Sequence, residues 1–379
     1  MKSMEHGKKT RKSTWLRLAQ SSIASAAFAL LAACGGGGGG STPASSTPPS
    51  GVALQAVSFG DSLSDVGTYA WYAKANFGGG EFTTNPGSIW VEDVAAYYGS
   101  SLTPAYSGGF TMATPTAQSG LGYAQGGARV ALQPGVDNPV LSTVPITTQI
   151  QNYLSAHGSF NGNQLVMIQG GPNDIFTAAA IIAANPASAA TEVVAVENAA
   201  IALAGAVGTL LQNGATKVVL VNVPDIGKTP LGLSSADGGA LLTQLSQAFN
   251  LTLTTALTQG GIMNKVIYVD AYTFIDNISA NAAANGFAVG NTGTACNLTK
   301  MTSSATAYGQ ANPSVLNGMT PAQFGASLAS SLFCSPQMYT TTGADQSYMF
   351  ADSLHPTTRL HALFAQQVER QIAAAGIGK

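Results

Sequence analysis

An α/β domain with a mostly parallel sheet covered by helices on both faces is what this chain of 379 residues predicts. Four short apolar runs recur along it, at 53–59, 164–169, 217–223 and 265–269, and each is followed by a turn rich in Gly, Pro, Asn or Asp. Helix-like segments at 146–156, 188–212 and 239–258 lie between them, and a last one covers 358–375. Strands buried on both faces read as continuous apolar runs, and strands that alternate with helices pair in parallel. In such a fold, ligands bind outside the carboxyl ends of the strands.

The N-terminal region precedes the fold. Lys8, Lys9, Arg11, Lys12 and Arg17 form a basic segment, and 23–33 is a run of small and apolar residues too short for a stable membrane span. Residues 1–33 therefore read as an export signal. Leu31-Ala32-Ala33-Cys34 resembles the lipobox of bacterial lipoproteins, which implies that Cys34 is lipidated and becomes the mature N-terminus. Gly35 stands where an aspartate often signals inner-membrane retention, which points to the outer membrane. Ordinary cleavage after Ala33, giving a periplasmic or secreted protein, is the alternative. Residues 34–50 are rich in Gly, Ser, Thr and Pro and form a flexible tether, leaving 51–379 as one folded domain. No second membrane segment is expected.

Beyond the leader, nine basic side chains stand against sixteen acidic ones, a formal charge of −7, so a nucleic-acid partner is not expected. Cys296 and Cys334 are the only cysteines after Cys34. In an oxidising compartment they read as a disulfide rather than as metal ligands, and with four histidines in the chain no metal cluster suggests itself. No repeat is present, and no feature specifies an oligomer, so a monomer is the expectation.

Each element has its own local reason. In the last helix Leu360, Phe364, Val368 and Ile372 repeat at four residues with Leu363 beside them, giving one apolar stripe. Ser62 lies just past the first strand, Asn173 past the second and Asp225 past the third, so all three share one edge of the sheet. Two regions break the alternation, 69–128 and 276–350. Both read as loop insertions over the site, the second stapled by Cys296 and Cys334. Trp71, Tyr72, Phe77, Phe82 and Trp90, in the first insertion, are candidates for an apolar pocket wall or for packing the insertion itself.

The chemistry is carried by two segments far apart in sequence, Gly60-Asp61-Ser62-Leu63-Ser64-Asp65 and Asp352-Ser353-Leu354-His355-Pro356. A hydroxyl becomes a nucleophile at neutral pH when an imidazole takes its proton, and a carboxylate fixes the tautomer of that ring and stabilises its cation. Asp352 and His355 are spaced so that one turn of chain aims the carboxylate at one ring nitrogen while the other faces a serine. His6 lies in the leader, His157 after a helix remote from any motif, and His361 on the last helix. The usual Gly-x-Ser-x-Gly elbow is absent, which disfavours an ordinary α/β-hydrolase.

Four ordered blocks resemble the GDSL or SGNH hydrolase family: Phe59-Gly60-Asp61-Ser62-Leu63-Ser64-Asp65-Val66-Gly67, Gly122-Tyr123-Ala124-Gln125-Gly126-Gly127-Ala128-Arg129, Gln169-Gly170-Gly171-Pro172-Asn173-Asp174 and Asp352-Ser353-Leu354-His355-Pro356-Thr357. The resemblance implies a three-layer α/β/α, flavodoxin-like SGNH fold. It also implies Ser62 as nucleophile, His355 as base and then acid, and Asp352 as its orienter. The Ser62 N–H, a glycine N–H from the second block and the Asn173 amide would form the oxyanion hole. Spacing from Gly122 favours Gly127 as that glycine, with Gly126 still open. Asp61, Asp65 and Asp174 read as turn holders, and Arg129 as a partner for one of them. No metal or organic cofactor is implied. The blocks are most similar to a bacterial branch of esterases, lysophospholipases and acyltransferases, so an acyl-ester substrate is expected. Polysaccharide deacetylation with the same site, and a surface-binding lipoprotein without activity, are the alternatives.

Overall fold

The computed structural model describes residues 47–110, 112–136 and 143–379. The expected signal, Cys34 and most of the tether lie outside the described residues. The central sheet has four parallel strands, β1 (Gln55–Phe59), β2 (Gln164–Gln169), β3 (Val218–Val221) and β4 (Ile267–Val269), hydrogen-bonded in that order. The second sequence block lies along the open edge of β1. The Ser58 N–H donates to Leu121 O at 3.1 Å, the Tyr123 N–H to Ser58 O at 2.8 Å and the Gln125 N–H to Gly60 O at 3.1 Å. This rudimentary fifth position on the far side of β1 gives the flavodoxin-like order with a switch point beside β1.

Side chains alternate along each strand, and the alternation builds two cores. Val57, Phe59, Val166, Ile168, Val218 and Leu220 face one way, against the helices Ile146–His157, Ala189–Gln212 and Ala240–Gln259. Ala56, Leu165, Met167, Val219, Val221 and Val269 face the other, against the helices Trp90–Tyr97 and Thr358–Ala374. Each fully buried Val, Leu, Ile or Phe contributes roughly 1.5–3 kcal/mol, so the sheet is a stiff platform for the turns at its carboxyl edge. The Ala189–Gln212 helix is long and apolar enough to cross a membrane by length and composition. Its Val196, Leu203, Val207 and Leu210 are instead buried in the first core.

The two insertions are corrected from loops to a satellite core. They contain helices Ala70–Phe77, Trp90–Tyr97, Leu298–Ala311 and Pro321–Ser327, and the helix Ala271–Ala280 runs into the second, all too short or too weakly periodic to be legible in the sequence. Tyr72, Met301, Phe324, Leu328 and Phe333 pack together around the Cys296–Cys334 disulfide, whose Cα atoms are 6.0 Å apart. Trp71 and Phe77 pack against the same cluster, so these aromatics hold the insertions rather than line the cavity. Trp90 belongs to the second core.

His361 lies in the first turn of the last helix, buried, with Nδ1 accepting the Trp90 N–H at 3.4 Å. Burial pushes its pKa down to about 3, and the neighbouring His355 ring adds to the effect. An unfolded histidine titrates near ~6.5, so the contribution of neutral His361 is whole above that pH and is lost as pH falls toward 3. Urea unfolding of the wild type and of His361→Gln, whose side-chain oxygen can still accept from Trp90, should diverge in slope between pH 6.5 and 4. The wild type should lose about 1.4 kcal/mol more per pH unit; parallel curves would rule this out.

Candidate active site

The strand β1 stops at Phe59 because the next turn is clasped from outside. Gln149, buried on the Ile146–His157 helix, accepts the Gly60 N–H at 2.9 Å and donates to Gly60 O at 2.8 Å. Asp61 then caps the single helical turn Ser62–Ser64, accepting the Leu63 N–H at 3.0 Å, while Gln169 at the end of β2 donates to the same oxygen at 2.6 Å. Ser62 is thereby presented as the first residue of a turn standing on the sheet edge. Neither glutamine had a visible role in the sequence.

His355 Nε2 lies 2.8 Å from Ser62 Oγ, and His355 Nδ1 lies 2.8 Å from Asp352 Oδ2. In the neutral ring, Nδ1–H donates to the carboxylate and Nε2 accepts from the hydroxyl. Asp352 Oδ1 accepts the Leu354 N–H at 2.8 Å and the His355 N–H at 2.7 Å, a side-chain turn that the Asp-x-x-His spacing makes possible. Burial alone would raise the Asp352 carboxyl, but the His355 ring and the backbone donors outweigh it and hold the group below the ordinary carboxylate range. Phe82 packs on the His355 ring, with centroids 5.1 Å apart.

The two candidate glycines are distinguished by their surroundings. The Gly126 N–H is taken by Asp65 Oδ2 at 2.8 Å, and a Cβ there would lie 2.3 Å from the Phe82 ring. Gly127 lines the cavity over Ser62, has φ +80, and a Cβ on it would lie 2.3 Å from Val136 O. Asn173 stands in the first turn of the helix Pro172–Ala184, where Nδ2 donates one hydrogen to Ala128 O at 2.9 Å; the residue lines the same cavity. Gly171 before it has φ +118 and lies so close to Phe249 that a side chain would collide with the ring.

The acidic turn residues tie the blocks together. Asp65 accepts the N–H groups of Gly67 at 3.0 Å, Thr68 at 2.7 Å and Gly126 at 2.8 Å, joining the first block to the second. Asp174 accepts the Val130 N–H at 2.9 Å and pairs with Arg129 Nε at 3.1 Å, joining the third to the second and selecting Arg129's partner. Burial pushes Asp61 and Asp65 up to about 6.

Ser62, His355, Gly127 and Asn173 line a cavity of about 630 Å³. Phe176, Ala180, Ile226, Leu231, Ile275 and Leu354 give it an apolar wall, and Arg129 and Asp225 add charge. Of the five aromatics expected from the first insertion, Phe82 alone lines this cavity. The rest of the apolar wall comes from elements after β2, β3 and β4 and from the last sequence block, including the Pro172–Ala184 helix, which the sequence pattern did not single out.

A three-layer fold with its cavity at the carboxyl ends of parallel strands defines an α/β enzyme class. Within it, the family model GDSL-like Lipase/Acylhydrolase matches residues 57–368, and the chain belongs to that family. It is a hydrolase, with ester cleavage as the family's reaction class. No curated protein matches the chain.

Replacing Asp65 with Ala strips an acceptor from three buried N–H groups, each costing about 1–3 kcal/mol when left unpaired. Urea unfolding of Asp65→Ala should show at least ~3 kcal/mol lost, with Asp65→Asn losing less because its carbonyl oxygen still accepts. Equal losses would mean that the acceptor does not matter.

Proposed function

We propose that this protein is a serine carboxylesterase that hydrolyses acyl esters through Ser62, His355 and Asp352, with the Ser62 N–H, the Gly127 N–H and the Asn173 amide as oxyanion donors. The observation that carries the reading is the unbroken chain of 2.8 Å contacts from Asp352 through His355 to Ser62, opening on a cavity that Gly127 and Asn173 also line. His355 takes the Ser62 proton as Oγ attacks the ester carbonyl. The three donors hold the resulting oxyanion. His355 then gives its proton to the leaving alkoxide, which departs as the alcohol and leaves the acyl group on Ser62. A water deprotonated by His355 repeats the attack, releasing the carboxylic acid and restoring Ser62. Asp352 keeps the ring in the Nδ1–H tautomer throughout.

The apolar wall from Phe176 to Leu354 favours an acyl chain over a sugar as the group that fills the cavity, so lysophospholipids and related acyl esters are the preferred substrates and acetylated polysaccharide is the lesser reading. Transfer of the acyl group to an alcohol uses the same intermediate, with the alcohol in place of water. A binding protein without activity has no use for an aligned Ser62–His355–Asp352 chain, which sets that reading behind the enzymatic ones. In the cell, the reading is of an exported protein held at the outer membrane by a lipid on Cys34; a palmitate label that is lost in Cys34→Ala would support it.

Hydrolysis of p-nitrophenyl esters tests the chemistry. Ser62→Ala should fall to background, whereas Asn173→Ala should lose about a hundredfold, ~3 kcal/mol, and stay measurable. Equal, undiminished hydrolysis by both variants would sink the assignment. A fluorophosphonate should label the wild type and not Ser62→Ala, and rates across acyl lengths should rise beyond acetate as the chain fills the apolar wall.

A further inference from the structure

Asp352 is oriented by more than its own loop. Oδ2, the oxygen that accepts from His355 Nδ1, also accepts the backbone N–H of Ser331 at 2.6 Å. Ser331 belongs to the second insertion and begins the single helical turn Ser331–Phe333, with Cys334 immediately after it. At the other end of the disulfide, the Cys296 N–H donates to Ala351 O at 2.9 Å, and the Ala295 N–H donates to Phe350 O at 2.8 Å. One sulfur is thus attached to the turn that supplies the donor, and the other to the chain that pins the residue before the acceptor. The first insertion holds the same turn from outside: Asn85 Nδ2 donates to Ser331 O at 3.0 Å and the Gly80 N–H donates to Leu332 O at 2.9 Å. Ser331, Asp352, Asn85 and both cysteines are buried, so bulk water does not replace a lost contact.

We propose that the Ser331 backbone N–H is a positioning group for the Ser62–His355–Asp352 relay, and that the Cys296–Cys334 disulfide keeps it on Asp352. The proposal rests on the reading of Asp352 and His355 as orienter and base. The Leu354 and His355 N–H groups fix Oδ1 from the last sequence block, and the Ser331 N–H fixes Oδ2 from the second insertion. With both oxygens held, the carboxylate cannot swing about its Cβ–Cγ bond, and Oδ2 faces Nδ1 before the ring is charged. Without Ser331, Oδ2 has only the ring that it is meant to orient.

A pair of substitutions at one position separates the backbone donor from the side chain. Ser331→Ala keeps the N–H and removes a hydroxyl that has no partner among the described residues. Ser331→Pro removes the N–H and places a ring carbon where the hydrogen lay, which forces Oδ2 to withdraw from its present position. The backbone admits proline there, because Ser330 is extended, with φ −127 and ψ 151, and Ser331 is the first residue of a helical turn. On p-nitrophenyl butyrate, Ser331→Ala should match the wild type within about twofold. A hydrogen bond to a charged group is worth enough that Ser331→Pro should lose on the order of ten- to a hundredfold in kcat. KM should change little, and the acid limb of kcat/KM, which the ring sets, should move by roughly half a pH unit or more. The double variant Cys296→Ala/Cys334→Ala should shift kcat and the acid limb in the same sense, and adding Ser331→Pro to it should cost much less than in the wild type.

Wild-type kcat and acid limb in folded Ser331→Pro would overturn the proposal, as would a kcat loss with an unmoved acid limb or fully additive losses with the disulfide. If Ser331→Pro does not fold, the cysteine pair decides by the same two readings. Absence of hydrolysis by the wild type would instead remove the reading beneath the proposal, a failure visible before any variant is compared.

Discussion

The Asp352 carboxylate is the constraint on which the rest of this site depends. It is buried, and four donors from two distant stretches of chain converge on it: the Leu354, His355 and Ser331 N–H groups and His355 Nδ1. Asp65 is a near control, buried to the same degree and accepting three backbone N–H groups, yet its pKa is pushed up to about 6. Asp352 is held below the ordinary range instead. Burial and donor count are close, so the difference is the ring: a group that can carry positive charge 2.8 Å away, added to the backbone donors, outweighs the cost of burial. The carboxylate and the imidazole are therefore matched to each other, and the sheet, turns and insertions serve to keep them registered with Ser62.

What was legible in the sequence divides by physical range. The four strands and the helices at 146–157, 189–212, 240–259 and 358–374 are long apolar or periodic segments, and their limits agree with expectation to within about two residues. Ser62, Asp352, His355, Gly127 and Asn173 are legible because the four blocks that resemble the family are local stretches of sequence, and for Gly127 and Asn173 that resemblance supplies most of the weight. The structure brings Ser62, His355, Gly127 and Asn173 to one cavity, with Asp352 buried behind the His355 ring.

The groups that were not legible act across the chain. Gln149, Gln169, Asn85 and Ser331 touch residues tens to hundreds of positions away, and Ser331 acts through a backbone N–H that every non-proline residue possesses. No side-chain pattern announces such a contact. The satellite core was missed for a related reason. Its helices Leu298–Ala311 and Pro321–Ser327 are rich in Ser, Thr, Ala and Gly, so their apolar stripes are thin, and they become stable only against each other and the disulfide.

The same compact edge carries an electrostatic tension that explains why so many turns are needed to hold it. Asp61 and Asp65 have folded pKa values above the unfolded one, so their contribution to stability is greatest below about 4 and is lost as pH rises through 6. Asp352 and His361 are shifted the other way, and their contribution is lost as pH falls. At neutral pH the fold keeps Asp61 and Asp65 ionised in buried positions at some cost in stability, because as carboxylates they are the acceptors that hold the Leu63 and Gly126 N–H groups, and through them the turns of Ser62 and Gly127. A neutral acid would accept more weakly and free those turns to move. Turn geometry around the nucleophile is thus maintained by charges that disfavour the folded state, offset by the two apolar cores that flank the sheet.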